Sequence, residues 1–561
     1  MKIVIIGGVA AGTSAAVRAR RNSETAEIVI YDRDVDIAHA GFATHYAVGG
    51  IVNSMDELVP KTSKWFKEYH NIDVRTQHEI TKIDHVNKKV YGINLITNEE
   101  FSSEYDKLVF ATGAVLGTPP VFKDKEFDNV FRVKTVQMGR KLQDYIVKNN
   151  PKTAVVIGTG YIGLGVSEQL TKAGIKVRTL DFLKYPMAQL DHDMSTHIAD
   201  ILDANGVTFH GNEGVIELEA TDNCLEHVIT TEGNDYQADM YIVATGIRPN
   251  TTLAESIGVE LGVTRAIKVN EKMQTNIPDV YAVGDAAEAF HAITKEPMYL
   301  PLATTASKMG RVAGDVITGG DLEFKGILGT SAVRLFGQTI AATGLTEIKA
   351  REKGLNPVVL TEMKPETLTF MGGKDVLIKA IANPKTEELL GVQMIGPEGV
   401  ERRIDVFTTA ITLGAKVSDL FNLDLAFTPP ISTPKDPVMY TGMALTNAIK
   451  NHSSLITPET LYQMIHDHEE VQLIDVRLPE HTDDSVIETS VNIPITSLRD
   501  KLMELSKDKR TVVYSSTGQT GYNAQRILIN NGFKEVYNLS GGNENYQIVL
   551  KDIAKNGYLE E

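Results

Sequence analysis

Two glycine-rich turns have the residue types and spacing to hold a dinucleotide. The first is Gly7-Gly8-Val9-Ala10-Ala11-Gly12, and an acid, Asp32, follows Gly12 by twenty residues. The second is Gly158-Thr159-Gly160-Tyr161-Ile162-Gly163, followed by Asp181. Glycines let the backbone approach a pyrophosphate at the start of a helix, and an acid at the end of the next strand accepts from a ribose 2′-hydroxyl. Val9 replaces the middle glycine of the first turn, so the second turn is the stronger signal. Two dinucleotides in one chain point to one flavin and one nicotinamide, and therefore to hydride and electron transfer.

The only cysteine is Cys224. This count excludes an intramolecular disulfide, a cysteine-based zinc site and a thiolate-held iron–sulfur cluster, and no metal site is expected. Cys224 lies in the polar stretch ATDNCLEH, which reads as a surface turn. A reactive thiol needs an electropositive niche, and none is visible there.

The elements that must position these residues follow from the apolar runs. KIVII (2–6) and EIVIY (27–31) read as buried parallel strands around an Ala-rich helix, and residues 154–157 and 177–180 repeat that unit. Two further strands end on Ala-Thr-Gly, at 111–113 and 244–246, where small residues let the backbone pass close to a cofactor. A third ends on Gly284-Asp285, an acid able to bond a ribitol hydroxyl. From about residue 320 the texture changes. Residues 331–346 and 376–396 alternate like antiparallel strands, with helices at about 399–414 and 436–450 and a rigid loop, Phe427-Thr428-Pro429-Pro430. Residues 451–456 read as a linker. The last hundred residues restart an α/β pattern, with strands at 473–477, 491–494, 512–516 and 536–539 and helices near 497–506 and 521–531.

The whole chain has 561 residues, which predicts about four domains. Its net charge of −17, without a Lys/Arg-rich run, disfavours nucleic acid and anionic membrane surfaces as partners. No run is long and apolar enough for a membrane span, and MKIVIIGG lacks a cleavable-signal layout, so the cytoplasm is the expected compartment.

With these residues in view, residues 1–450 resemble the FAD-dependent pyridine nucleotide-disulfide oxidoreductases. The nearest branch is coenzyme A-disulfide reductase, with NADH oxidase and NADH peroxidase close by. Residues from about 455 resemble a rhodanese domain. The resemblance rests on ATGA (111–114), GTGYIGL (158–164), ATGIRPN (244–250), YAVGDAAE (281–288), TSAVRLFG (330–337), PPISTPKDPV (429–438) and LSGG (539–542), besides the first glycine turn. It implies an α/β fold with two Rossmann-like dinucleotide-binding domains, an α+β dimerisation domain and a C-terminal rhodanese-like α/β domain. The implied boundaries are 1–113 with 244–322 for FAD, 114–243 for NAD, 323–450 for the homodimer contact and 457–561 for the rhodanese-like part. It implies FAD at Gly7, Gly12, Asp32, Thr112, Gly113 and Asp285. It implies the nicotinamide dinucleotide at Gly158, Gly160, Tyr161, Ile162, Gly163 and Asp181, with Gly246 in the second Ala-Thr-Gly turn. Asp181 would repel a 2′-phosphate, so NADH is expected over NADPH.

The pattern breaks where the family keeps its thiols. Its segment S-F-x-N-C-G-L-P-Y-Y/H-I-G-G aligns without a gap on AHAGFATHYAVGG (38–50), which puts Phe42 at the cysteine. A benzyl group forms no thiolate, mixed disulfide or sulfenate. In the rhodanese loop C-x-x-G-x-R, Ser515 stands for the nucleophile and Thr520 for the arginine, so that domain is expected to fold without transferring sulfur. Asp475 and Arg477 remain as an expected ion pair. Phe427 stands where the coenzyme A-disulfide reductases carry a tyrosine supplied across the dimer. Ala10 replaces the peroxidase histidine, and Gly165 replaces the glutamate of GYIGLE near the nicotinamide. Arg18, Arg20 and Arg21 read equally as a solvated helix end or a remnant of a coenzyme A phosphate site.

The expected activity is then FAD-dependent oxidation of NADH, with electrons passed directly to a small acceptor: dioxygen, a quinone or an organic electrophile. Phe42, His45, Tyr46 and Phe427 are the candidate residues around that acceptor. His45 reads mainly as a pocket-lining ring and secondarily as a proton donor. Two alternatives stand beside this reading. One is a weakly catalytic flavin-binding redox sensor whose rhodanese-like domain docks a partner. The other is retained reduction of coenzyme A disulfide or persulfide.

Overall fold

The computed structural model describes residues 1–450, 452–482 and 485–556. Asn451, at the head of the expected linker, and residues 557–561, at the tail of the expected rhodanese-like domain, lie outside the described residues. The chain forms two compact units. One comprises 1–184 and 206–327, and the other 185–205 and 328–561.

The first unit holds two parallel five-stranded sheets. In the first, the strand Lys2–Ile6 lies between Glu27–Tyr31 and Lys107–Phe110, with Val280–Ala282 and Asp73–Arg75 at the edges. In the second, Thr153–Ile157 lies between Lys176–Leu180 and Met240–Val243, flanked by Thr208–His210 and Val130–Phe131. The central strands are continuous apolar runs because helices or loops cover both faces: Ile3, Val4, Ile5, Leu108, Val109 and Phe110 are all fully buried. Burying each such side chain contributes about 1.5–3 kcal/mol. Parallel pairing brings the carboxyl ends of these strands to one edge of each sheet, where α/β sheets bind ligands. The two Ala-Thr-Gly turns run into a pair of antiparallel strands, Ala114–Leu116 and Ile247–Pro249, which carry the chain from one sheet region to the other and back.

The helix Ala10–Asn22 packs on the helix Ala303–Ile317 through small residues. A Cβ on Gly310 or Gly314 would collide with the carbonyl of Ala11 or Ala15. This contact also accounts for the arginines. Arg18 pairs with Asp315, and buried Arg20 donates to the carbonyls of His70, Ser23, Glu24, Ala26 and Asn71. Two of the three arginines read as a solvated helix end or a phosphate remnant are therefore structural.

In the second unit an antiparallel sheet runs in the order Ser331–Leu335, Gln338–Gly344, Leu389–Gly396, Asp375–Ala382 and Val358–Pro365. The helices Val400–Thr412 and Pro437–Ile449 follow. A parallel sheet then runs Ser454–Ile456, Val536–Leu539, Thr511–Tyr514, Gln472–Asp475 and Val491–Asn492. The helix expected near 497–506 closes instead as short turns with one 3₁₀ segment, Leu502–Glu504. Amides there bond three residues back, as Asp500 does to Ser497 and Lys501 to Leu498, and this buries Leu498 without a full helix.

Residues 185–205 join this second unit through a buried cation. Lys379 Nζ lies 2.8 Å from Asp193, 2.9 Å from Glu347 and 3.4 Å from Asp191. Burial opposes the Lys379 charge, but the three carboxylates outweigh it and hold its pKa above the ordinary value. Beside them, burial and Asp193 push the carboxyl of Glu459 up to about 7. Unfolded, it ionises near 4.5. The folded chain thus holds an extra proton between those two pH values, and stability falls as pH rises through that window. Glu459→Gln should raise the melting temperature of this unit at pH 8 by about 2–4 °C and leave it nearly unchanged at about pH 4, below the window. Thermal unfolding at both pH values checks this.

Candidate active site

Both glycine turns are built by the same crowding. A Cβ on Gly12 would collide with the carbonyl oxygen of Gly7, and one on Gly163 with that of Gly158. Gly7 and Gly158 have φ of +108° and +100°, which glycine tolerates without steric cost. The helices that follow, Ala10–Asn22 and Tyr161–Lys172, have no side-chain cap, unlike the helices capped by Thr62, Thr135 and Thr457. Their first-turn amides are left for an anion. Around Gly160 a Cβ would meet nothing within 4 Å, so the approach to the second turn is open.

The two acids repeat one arrangement. Asp32 accepts from the amides of Gly8 at 2.6 Å and Asp34 at 2.8 Å. Asp181 accepts from the amide and hydroxyl of Thr159, at 2.7 and 2.6 Å, and from the amide of Leu183 at 3.0 Å. Each acid thereby ties its glycine turn to the end of the second strand. Each carboxylate oxygen has two lone pairs, so acceptor capacity remains for a ribose hydroxyl. Burial pushes Asp32 upward against its two backbone bonds.

At the first turn, Gly284 packs against Ala11, which brings Asp285 to the same sheet edge. Asp285 is pushed upward by burial while Lys134 pulls it back. Burial in turn lowers Lys134, against the pull of Asp285 and Asp32. The Tyr299 hydroxyl is buried without a partner among the described residues, and burial and Asp285 push its pKa upward. A half-buried cation, an acid and an orphaned hydroxyl around an uncapped helix suit a polar, anionic group such as a flavin dinucleotide. Lys134 and Tyr299 are missing from the sequence expectation because neither lies in a motif. The Thr112 hydroxyl donates to the carbonyl of Asn250 at 2.7 Å and the Thr245 hydroxyl to that of Gly117 at 2.9 Å, while Gly113 and Gly246 leave their outer sides open.

The segment that departs from the thiol motif folds as a 3₁₀ turn, Gly41–Ala43, and a short helix, Thr44–Val48. Phe42 points outward and is 63% exposed. Buried Thr44 donates to the carbonyl of Gly41 at 2.7 Å and packs so closely on Gly139 that a Cβ there would collide with it. His45 is 5% exposed, and burial lowers its pKa to about 4, so its ring is neutral near pH 7. Its centroid is 4.1 Å from that of half-buried Tyr46. Cys224 is exposed at the start of a strand, Cys224–Thr230, in a separate three-stranded sheet. Phe427 belongs to the second unit, where it is exposed in the loop before the helix Pro437–Ile449.

In the parallel sheet of the second unit, the turn after Thr511–Tyr514 still aims amides at the position of Ser515. Its hydroxyl oxygen accepts from Gly518 and Gly521, each at 3.1 Å. Among the described residues no His, Asp or Glu side chain bonds to it. Asp475 and Arg477 form the expected pair, buried, with Arg477 donating from Nε and from a terminal nitrogen at 2.8 Å.

Comparison with known proteins agrees with this geometry. Residues 1–310 match the family model "Pyridine nucleotide-disulphide oxidoreductase", residues 330–436 match its dimerisation domain, and residues 457–548 match the rhodanese-like domain. The chain is 34% identical over 462 residues to an NADH oxidase of Methanocaldococcus jannaschii, covering 81% of this chain and 100% of that one. It is 34% identical over 449 residues to a CoA-dependent NAD(P)H sulfur oxidoreductase of Pyrococcus furiosus, covering 79% and 99%. The crystal structure of reduced Bacillus anthracis CoADR-RHD superposes with a TM-score of 0.94 at 34% identity, covering 98% of each chain. Among the described residues no helix is long and apolar enough to cross a membrane, and no cluster of His, Cys, Asp and Glu could hold a metal.

The buried Asp181 carboxylate at the second turn sets an expectation. Asp181→Ser should narrow the preference for NADH over NADPH by about tenfold or more. Titration of both nucleotides against the holoprotein checks it.

Proposed function

The chain belongs to the pyridine nucleotide-disulphide oxidoreductase family, and from that membership we propose an FAD-dependent NADH oxidoreductase whose electrons reach a small acceptor without an enzyme thiol. FAD, when bound, supplies the chemistry of taking a hydride from NADH and giving the electrons up again. The residues of this chain bind, orient and shield. Gly7, Gly12, Asp32, Asp285 and Lys134 hold the flavin dinucleotide; Gly158, Gly160, Gly163 and Asp181 hold the nicotinamide one.

One observation carries the reading: an exposed Phe42 fills the position of the relay cysteine, and the only thiol of the chain, Cys224, sits on a separate three-stranded sheet. Reduction of a disulfide through an enzyme thiol needs a cysteine at position 42, and a phenyl ring offers neither nucleophile nor redox partner. What Phe42 and Tyr46 do offer is an aromatic surface. This favours a planar or apolar acceptor, such as a quinone or an unsaturated organic electrophile, alongside dioxygen. His45, held neutral by burial, carries no charge to lose at pH 7 and is a poor proton donor there.

The match of residues 330–436 supports a homodimer, and the exposed Phe421, Phe427 and Ile431 are apolar surface for such a contact. In the rhodanese-like domain, Ser515 keeps the amide cradle without an activating base, so we assign it no sulfur transfer.

The test uses the NADH-reduced holoprotein and a series of acceptors: dioxygen, a quinone, an activated alkene and coenzyme A disulfide. Cys224→Ser is expected to keep the wild-type rate with each acceptor that works, and alkylation of Cys224 to change nothing. A fall of about tenfold or more in either experiment, or coenzyme A disulfide as the fastest acceptor, would overturn the proposal.

A further inference from the structure

The second unit contains a cavity of about 230 Å³, far in sequence from either glycine turn. Three elements supply most of its wall. Leu360, Glu362 and Lys364 alternate along the edge strand Val358–Pro365, so their side chains leave one face of the sheet. Tyr440, Met443, Ala444 and Asn447 recur at helical spacing on Pro437–Ile449. Gln519, Tyr522 and Asn523 do the same on the helix Gln519–Asn530. Hydrogen bonds pin these walls together. The Ser540 hydroxyl donates to the carbonyl of Thr361 at 3.0 Å and accepts from its amide at 2.9 Å, and Asn447 donates to the Tyr522 hydroxyl at 3.1 Å.

One cation in this wall has donors to spare. Lys364 is 6% exposed. Its ammonium donates to Gln519 Oε1 at 3.3 Å, lies 4.9 Å from the ring centroid of Tyr440 and stands 3.8 Å from Glu362. All three neighbours line the cavity, which places the ammonium at its wall. An ammonium has three N–H groups; Gln519 takes one, and Glu362 is beyond hydrogen-bond distance. Glu362 accepts instead from the Thr441 hydroxyl at 2.7 Å, and burial pushes its pKa upward, which weakens its hold on Lys364. The helix Gln519–Asn530 begins at Gly518 without a side-chain cap, so its positive end adds to the same field. Leu360, Tyr440, Met443, Leu455 and Tyr522 make the remaining wall largely apolar and aromatic.

We propose that this cavity binds a small aromatic carboxylic acid as its carboxylate, with Lys364 on the carboxylate and the apolar side chains around the ring. An apolar cavity of about 150 Å³ accepts benzene, so this one has room for about nine non-hydrogen atoms, a ring and one carboxylate. An amine would be repelled by Lys364, and a phosphate needs more donors than one ammonium provides. The rhodanese-like part thereby keeps a binding role without a thiol. The amides of Gly518 and Gly521 turn to Ser515, while Thr517, Gln519 and Tyr522 line the cavity.

The test titrates the full-length holoprotein with two probes, followed by ligand-observed NMR. Benzoate has the ring and the charge, and benzyl alcohol keeps the ring alone. Benzoate should bind at least about tenfold more tightly. Lys364→Met should erase that difference and leave benzyl alcohol within about twofold. Ala444→Phe, which fills the cavity from one helix, should abolish binding of both; should that variant fail to fold, Asn523→Trp closes the cavity from the other helix. Ser515→Ala should leave benzoate binding within about twofold. Equal affinity for the two probes, an unchanged preference in Lys364→Met, or benzoate binding that survives the filled cavity would overturn the proposal. So would the absence of benzoate binding up to about 10 mM.

Discussion

The structure of the first unit depends on one steric condition, met twice. A helix must come down on the backbone of the turn that precedes it, so closely that only hydrogen fits at Gly12 and at Gly163. That contact fixes the angle at which each helix leaves its sheet. It leaves both helix starts without a side-chain cap, and an acid two dozen residues on locks the turn from behind. An anion site follows from the backbone alone. Polar groups then gather beside each turn: Asp285 and Lys134 at the first, Thr159 with Asp181 at the second.

The same use of missing side chains recurs where the thiol motif has been lost. Gly139 admits Thr44, Gly165 admits His45, and Gln169 packs where a Cβ on Gly49 would be. The replacement of a cysteine by Phe42 is therefore not an isolated loss on an otherwise preserved segment. The short helix Thr44–Val48 has been repacked against two neighbouring helices, with a buried hydroxyl and a buried neutral ring at the contacts. The result is an outward aromatic residue over a rebuilt support, which suits direct flavin chemistry better than a thiol relay.

Much of this is legible in the residues. The glycine turns, their acids and the two Ala-Thr-Gly strand ends announce the first unit, because close backbone approach demands glycine and leaves a fixed spacing. The substitutions at 42 and 515 show as motif breaks. What sequence does not show is long-range: Lys134 opposite Asp285, Tyr299 beside them and Lys379 among three carboxylates come from residues far apart in the chain. Gly165 and His45 are each visible as a departure, but only folding places one on the other. The failed helix near 497–506 has a similar cause: burial of Leu498 is satisfied by tight turns, and no local pattern records that choice.

The central claim is that flavin alone carries the electrons, and an anaerobic titration of the holoprotein with NADH measures it most directly. The flavin band should bleach fully with about one equivalent of NADH per flavin, and thiol counting before and after reduction should find Cys224 alone. Uptake of a second equivalent, or a thiol that appears only on reduction, would contradict the account.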